Sequence, residues 1–511
     1  MTLRLTANIA MPPPACFLGI DLGTTGIAFM LLDQSGESLA ELRRAYSNLS
    51  EDSESASPQD WWRATRTGIK ELLRRAGVEA GVIRAVGVTG VTEGAVLIGT
   101  EGQILTPTSL GASESGQHGL SMLAERIGLR NLHNLTGRHA RSATLLPKFL
   151  DQSEQYPRVS HELHAVLQPP EFLRFRLTGA LATDPSCACQ SLLFSARSRT
   201  WSKQVLNHLS IDPILLPQVV SAGAIIGRVT DTAARESGLQ MGTPVIAGAN
   251  QQVATAIAVG ADTCGDLLLD LGETGTALCL DASYHRGKGH IDTGCFGDLW
   301  TLEARGVSPT TGINWLMDTV MPAEVQQARR RKRDPLDHLA EIAAETQPGA
   351  DGLLFISPES GPASGFIGLR PDHERGHLVR AVFEAGALSV RTLVDELAEL
   401  RVKPQRLMLT GPGSANPLWC QMVADATEQT VRAFPQDAMA ARGVATLAAV
   451  ASGAFKNLDK ALAKGVKSTA TLKPRKAATE TYHRLRPRRA AIISALDNGA
   501  PELTSTAAPA S

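Results

Sequence analysis

The chain is expected to be an α/β protein built from two related domains that face each other across a shared cleft. Three observations lead there. Its 511 residues exceed what one hydrophobic core organises. The pattern Asp-Leu-Gly-x-Thr-Gly occurs twice, at Asp21–Gly26 and Asp270–Gly275, once near the start of each half. Strand and helix signals alternate in both halves, the grammar of an α/β sheet with ligands at strand C-termini.

Each element follows from its residues. The apolar stretches Cys16–Ile20 and Ile27–Leu32 flank the first copy as strands, and Leu267–Leu269 and Ala277–Leu280 flank the second. A strand, a tight Gly-containing turn and a returning strand form a hairpin whose exposed N–H groups suit phosphate oxygens. Ser57-Pro58 followed by Asp60 starts a helix, with a capping hydroxyl, Pro at the first position and an acid in the first turn. Trp62, Ile69, Leu72, Leu73 and Ala76 recur near helical spacing, and Gly77 stops the run. Ile83–Val88 is a short strand ending at Thr89-Gly90, and the segment Leu173–Asp184 breaks from helix to loop at Leu177-Thr178-Gly179. In the second half, Leu378–Leu400 is a helix mildly interrupted by Gly386. Leu407–Leu409 is a buried strand, Gly411-Pro412-Gly413 a loop, Pro417–Thr427 a helix, Thr430–Phe434 a strand and Met439–Ala451 a small-residue helix. From Asp497 the chain is small and polar, the composition of a disordered tail over 497–511.

Charge and cysteine content narrow the partners. A formal charge of -1 gives no electrostatic case for nucleic acid or an anionic membrane. The one basic run, Arg329–Arg333, reads as a solvated helix end or loop. Seven scattered cysteines include no C-x-x-C pair, and Cys187-Ala-Cys189 has no companion cluster, which argues against zinc and for reduced thiols in the cytoplasm. No continuous apolar signal region and no long uncharged apolar span is present.

Asp21 precedes Gly23-Thr24-Thr25, so its carboxylate can hold Mg²⁺ through water while the hydroxyls and turn N–H groups bind phosphate. The plain alternative is an ordinary Asp-Gly hairpin turn, against which the duplicate weighs. In Gly411-Pro412-Gly413-Ser414-Ala415-Asn416-Pro417, two glycines after a strand let the backbone approach a flat ligand, and the following helix offers free N–H donors. A dinucleotide fingerprint needs a third glycine at position 416, where Asn stands, so that reading is excluded. The alternative is a capped α/β turn.

Together with Thr183-Asp184, Trp201, Leu216-Pro217, Gly242-Thr243-Pro244-Val245, Phe366-Ile367-Gly368-Leu369, Arg380-Ala381 with Glu384, and Asn416-Pro417-Leu418-Trp419, these motifs resemble the FGGY family of carbohydrate kinases, most closely its xylulokinase-like members. The resemblance covers nearly the whole chain. It implies two actin-like (ribonuclease H-like) domains flanking a central cleft: an N-terminal domain over 1–258 on the sugar side and a C-terminal domain over 259–496 on the nucleotide side. It implies ATP and Mg²⁺ as cofactors, a small sugar or polyol as partner, and possible homodimers. By position, Asp21 becomes the metal-associated carboxylate. Gly23, Thr24 and Thr25 become the first phosphate loop, Gly272, Glu273, Thr274 and Gly275 the second, and Gly411, Gly413, Ser414 and Asn416 the adenosine pocket.

The chain departs from that family inside the cleft. Where the family places an aspartate base after the Pro-Val strand, the segment reads Ala247-Gly248-Ala249-Asn250-Gln251-Gln252. The preferred register puts Gln251 at that position and a one-residue slip puts Asn250 there; neither carboxamide accepts the proton, although it can orient a hydroxyl. The substrate loop is Gly90-Val91-Thr92-Glu93-Gly94, in which Thr92 and Glu93, with Gln251 and Gln252, are candidate substrate contacts. The Trp-x-Asp-x-Arg motif expected near Gly111–Ser115 is absent, Ala28 stands where a Lys or Arg is usual, and Glu273 replaces a phosphate-facing hydroxyl. Two readings follow: a kinase acting on a sugar or polyol hydroxyl, or a catalytically impaired pseudokinase that binds nucleotide or carbohydrate as a sensor.

Overall fold

The computed structural model describes residues 15–46, 56–108, 110, 115–272, 275–306, 310–357 and 364–504. Two mixed sheets dominate it. In the first, β1 (Cys16–Leu22), β2 (Gly26–Leu32) and β3 (Ser38–Ala45) form an antiparallel meander. β4 (Ile83–Gly90) then pairs parallel with the free side of β1, Pro244–Ile246 pairs parallel with β4, and Ile225–Arg228 closes that edge antiparallel.

The second sheet repeats this plan. Asp266–Asp270 pairs antiparallel with Thr276–Asp281, which pairs antiparallel with Leu299–Arg305. On the other side Arg406–Thr410 and Val431–Ala433 add parallel strands, and Ala470–Leu472 ends the sheet antiparallel. One extra strand, Asp292–Phe296, extends the Leu299–Arg305 edge. The duplication read in a hexapeptide therefore extends to whole sheets, with each Asp-Leu-Gly turn joining the first two strands of its own lobe.

Local rules set the helices. The helix α1 (Pro58–Ala76) begins at a capping box in which Ser57 and Asp60 exchange side-chain and backbone bonds, and ends at Gly77 with φ 65°. Helix Arg375–Glu399 runs unbroken through Gly386, which is buried within it, so packing overrides the local cost of that glycine. Helices Pro417–Thr427 and Met439–Ala451 have the expected bounds. The basic run Arg329–Arg333 is the exposed end of helix Pro322–Arg330 and the turn after it. The last helix, Lys476–Thr504, extends into the segment 497–511 expected to be a disordered tail, and 505–511 lie outside the described residues. Among the described residues no helix is long and apolar enough to cross a membrane.

Helices Gln251–Val259 and Met439–Ala451 form the layer between the two sheets. The second of them, from the C-terminal lobe, lies on β1, β2 and β4 of the N-terminal sheet. The approach is close enough to require glycine. A Cβ on Gly443 would stand 1.7 Å from the Ala254 carbonyl oxygen, and one on Gly19 would stand 1.8 Å from that of Ala441. A single apolar cluster joins Phe17 and Ile246 of the first sheet to Leu268, Leu278 and Met408 of the second through Val253, Ile257, Met439 and Leu447.

Candidate functional site

Both hairpins deliver their aspartates to one cavity of about 490 Å³, with Asp21 on one wall and Asp270 on the other. Asp21 is the penultimate residue of β1 and Asp270 the last of its strand, so each carboxylate stands where its sheet gives way to the turn. Asp21 is 9% exposed, and Gln251, the first residue of its helix, donates Nε2 to Oδ1 at 3.0 Å and to Oδ2 at 3.1 Å. Burial lifts the Asp21 carboxyl to about 6 against the opposing pull of the Gln251 bonds and the Arg43 charge. Burial also lifts Asp270 to about 6, opposed by a backbone N–H from Gly272. Among the described residues neither aspartate forms an ion pair. Two carboxylates, Asp21 buried and Asp270 half-buried, that form no ion pair among the described residues and face one space from opposite walls are a hard-oxygen donor set that fits a divalent cation such as Mg²⁺.

Asn250 is committed elsewhere. Its Oδ1 accepts from the Val253 N–H at 2.8 Å as the helix cap, and its Nδ2 donates to the Ser186 carbonyl at 3.1 Å. Gln251 is thus the carboxamide that meets Asp21. Its neighbour Gln252 lines the same cavity, and its Oε1 is buried with no hydrogen-bond donor among the described residues.

In the first loop, the Gly23 N–H donates to the Gly26 carbonyl at 2.9 Å, and Tyr46 Oη donates to the Gly23 carbonyl at 2.8 Å. Gly23 therefore holds the turn, while Thr24 and Thr25 stand exposed in the cavity. In the second loop Glu273 and Thr274 lie outside the described residues. The Gly275 N–H donates to the Gly272 carbonyl at 3.2 Å, and Thr276 is the residue of that turn that lines the cavity.

The Gly411–Asn416 segment backs the site without lining this cavity. Gly411 has φ 77°, and a Cβ on it would stand 2.1 Å from Asp270 Oδ1, so glycine is what lets the turn pass that carboxylate. Ser414 Oγ donates to the Gly411 carbonyl at 2.7 Å. Asn416 Oδ1 caps the next helix through the Trp419 N–H at 3.0 Å, and its Nδ2 donates to Asp337 at 3.2 Å. The Ser414 and Asn416 side chains serve a capped α/β turn. Gly413 packs against Trp419, whose ring a Cβ would reach at 2.3 Å.

In the Gly90–Gly94 segment Thr92 is buried, and Glu93 forms an ion pair with Arg305 at 2.6 Å that crosses the cleft from one lobe to the other. Arg305, Arg43 and Gln190 line the cavity and carry no motif. Gln190 accepts from Arg138 Nη2 at 2.7 Å and donates to Glu303 Oε2 at 2.9 Å, and Arg138 pairs with Glu303 at 2.8 Å. This second bridge between the lobes, which unlike the first is buried, extends to Asp292, whose carboxyl Arg138, His139 and Arg141 hold far below the usual range despite its burial. Of the segment expected to carry a sugar-binding motif, 111–114 lie outside the described residues. A wider groove of about 1040 Å³ between helices Arg375–Glu399 and Lys476–Thr504 is lined by neither hairpin.

The family described as FGGY family of carbohydrate kinases, N-terminal domain, matches residues 16–258, and its C-terminal domain matches 274–452. The xylulose kinase of Bacillus subtilis (strain 168) is 26% identical over 482 residues, covering 92% of this chain and 94% of that protein. A gluconokinase of Bacillus licheniformis is 22% identical over 94% of this chain and 96% of its own. The crystal structure of xylulose kinase from Rhodospirillum rubrum superposes with a TM-score of 0.85 at 25% identity, covering 94% of this chain and 99% of that one.

Proposed function

Because the chain belongs to the FGGY family of carbohydrate kinases, we propose that it transfers the γ-phosphate of ATP to a hydroxyl of a sugar or polyol in a xylulokinase-like reaction. The observation that carries this reading is the meeting of Asp21 and Asp270, one from each lobe, on a single cavity with Thr24 and Thr25. Mg²⁺, when bound, would be held by these carboxylates and would neutralise phosphate charge. Thr24 and Thr25 offer hydroxyls to phosphate oxygens. Gln252 Oε1 accepts from a substrate hydroxyl, and Gln251, held by Asp21, orients the attacking one.

Gln251 cannot take the proton of that hydroxyl. Phosphoryl transfer proceeds through a loose transition state in which positioning and charge neutralisation outweigh proton removal, so the hydroxyl keeps its proton until transfer is well advanced and then gives it to an oxygen of the transferred phosphoryl group or to solvent. The reading is therefore of a slow kinase. Among the described residues the cysteines form no disulfide, which suits a reducing, cytoplasmic setting.

The Gln251–Asp21 contact also favours a second reading, a nucleotide- or carbohydrate-binding sensor with no turnover. Purified protein incubated with Mg-ATP and a panel of ketoses, aldoses, polyols and sugar acids separates the two by ADP release. Acceptor-dependent release on any compound establishes the kinase. Calorimetric ATP binding with no release across the panel overturns it in favour of the sensor.

A further inference from the structure

The two lobes share more than their turns. Across four strands of the first sheet, residues in direct register form the row Thr89, Asp21, Ala28, Arg43. Across the matching strands of the second sheet the row is Thr410, Asp270, Thr276, Arg305. Residues opposite one another in neighbouring strands project to the same face, so each row carries its aspartate and its arginine on one side of its sheet. Both aspartates, Ala28, Thr276 and both arginines line the one cavity. Each wall therefore presents a carboxylate and, two strands away at about 10 Å, a guanidinium.

The two arginines differ in what they meet. Arg305 is engaged across the cleft by Glu93. Arg43 has no ion pair among the described residues, whereas its neighbour Arg44, which alternation sends to the other face, pairs with Glu71 at 2.8 Å. Between Arg43 and Asp21 the row holds only the methyl group of Ala28, which leaves space for a long side chain to lie across β2 toward the Thr24-Thr25 turn. A planar guanidinium beside two exposed threonines is suited to bidentate recognition of a tetrahedral oxyanion. We propose that Arg43 is the anion-binding group of the N-terminal wall and meets the terminal phosphoryl group of the bound triphosphate, as the counterpart of Arg305 on the opposite wall. This rests on the kinase reading for the identity of the anion.

Calorimetry on the full chain tests it, with Mg-ATP and Mg-ADP titrated separately into wild type, Arg43→Gln, Arg43→Lys and the double variant Arg43→Gln/Ala28→Lys. Loss of a charge-assisted contact to the terminal phosphate weakens ATP binding about tenfold or more in Arg43→Gln while leaving ADP binding nearly unchanged. The double variant, which moves the cation one strand along the same row, recovers part of the preference for ATP. An unchanged ATP-to-ADP ratio in Arg43→Gln overturns the assignment and leaves the kinase reading standing, provided wild type binds ATP. Equal weakening of both nucleotides also overturns it. Wild type that binds neither nucleotide removes the kinase reading and this assignment together. Should Arg43→Gln not fold, Arg43→Lys decides: a point charge without the fork lowers the ratio about threefold or more, and an unaltered ratio refutes the assignment.

Discussion

Gln251 Nε2 bridges both carboxylate oxygens of Asp21 at 3.0 and 3.1 Å, so the head of one helix is clamped to the end of β1 across 230 residues of sequence. Restoring a carboxylate there converts an orienting group into a base. If the protein is a slow kinase, Gln251→Asp raises kcat by about 10²-fold, at the low end of general-base assistance because the new acid faces Asp21. A coupled ADP-release assay with saturating acceptor measures it; an unaltered kcat in a folded, ATP-binding variant refutes the role given to position 251.

Asp21 and Asp270 each contribute to the pH response of the ligand-free protein. Both carboxyls titrate near 6 when folded, against an ordinary value of 3.8, because burial disfavours their charge. Between those values the folded state binds more protons than the unfolded one, so stability falls as pH rises through this window and the full cost is present above pH 6. Asp21→Asn removes one charge, keeps a partner for Gln251, and raises the stability of the ligand-free protein at pH 7.5 by about 1–3 kcal/mol while abolishing turnover. Urea melts at pH 4.5 and 7.5 test this: the gain must shrink at the lower pH.

The Glu93–Arg305 pair joins the lobes through partly exposed side chains and contributes about 1 kcal/mol at most. Glu93→Gln is expected to leave the melting temperature within a few degrees of wild type. It favours a more open cleft, visible as a larger radius of gyration in small-angle X-ray scattering, and it raises KM for the acceptor more than KM for ATP. Equal changes in both KM values contradict an acceptor-side position.

Gly443→Val places a branched side chain where even a Cβ would overlap the Ala254 carbonyl. Separating the two central helices exposes the cluster that both sheets share, so a loss of about 3 kcal/mol or more is expected. Chemical denaturation reads it directly, and a loss below about 1 kcal/mol shows that the helices can move apart cheaply.

Much of the fold was legible because its signals are local. The two glycine turns, the capping box at Ser57 and the bounds of Pro417–Thr427 and Met439–Ala451 depend on residues a few positions apart. Asp21 and Gln251 could be singled out for the same reason, each lying in or beside a recognisable turn, whereas Asp270 was read only as the start of the second turn and its meeting with Asp21 depends on how the lobes pack. Arg43, Arg305 and Gln190 were not legible. They reach the cavity through strand register and lobe packing, which pair Arg43 with Ala28 and Arg138 with Glu303 over distances no periodicity encodes. Ser414 and Asn416 were picked out with their loop, and the structure adds what their side chains touch. Their loop resembles a ligand cradle, but their side chains are used to hold a turn and start a helix.

The helix Met439–Ala451 lies against β1, β2 and β4, so those strands meet a partner that is translated some four hundred residues after them. Until that segment emerges, the face carrying Gly19 and Gly87 has nothing to cover it, and the early product exposes an apolar sheet to solvent. A prematurely terminated polypeptide lacking residues beyond about 438 is thus a natural client for chaperones and proteases, and the gene cannot be divided at its midpoint into two independently soluble halves.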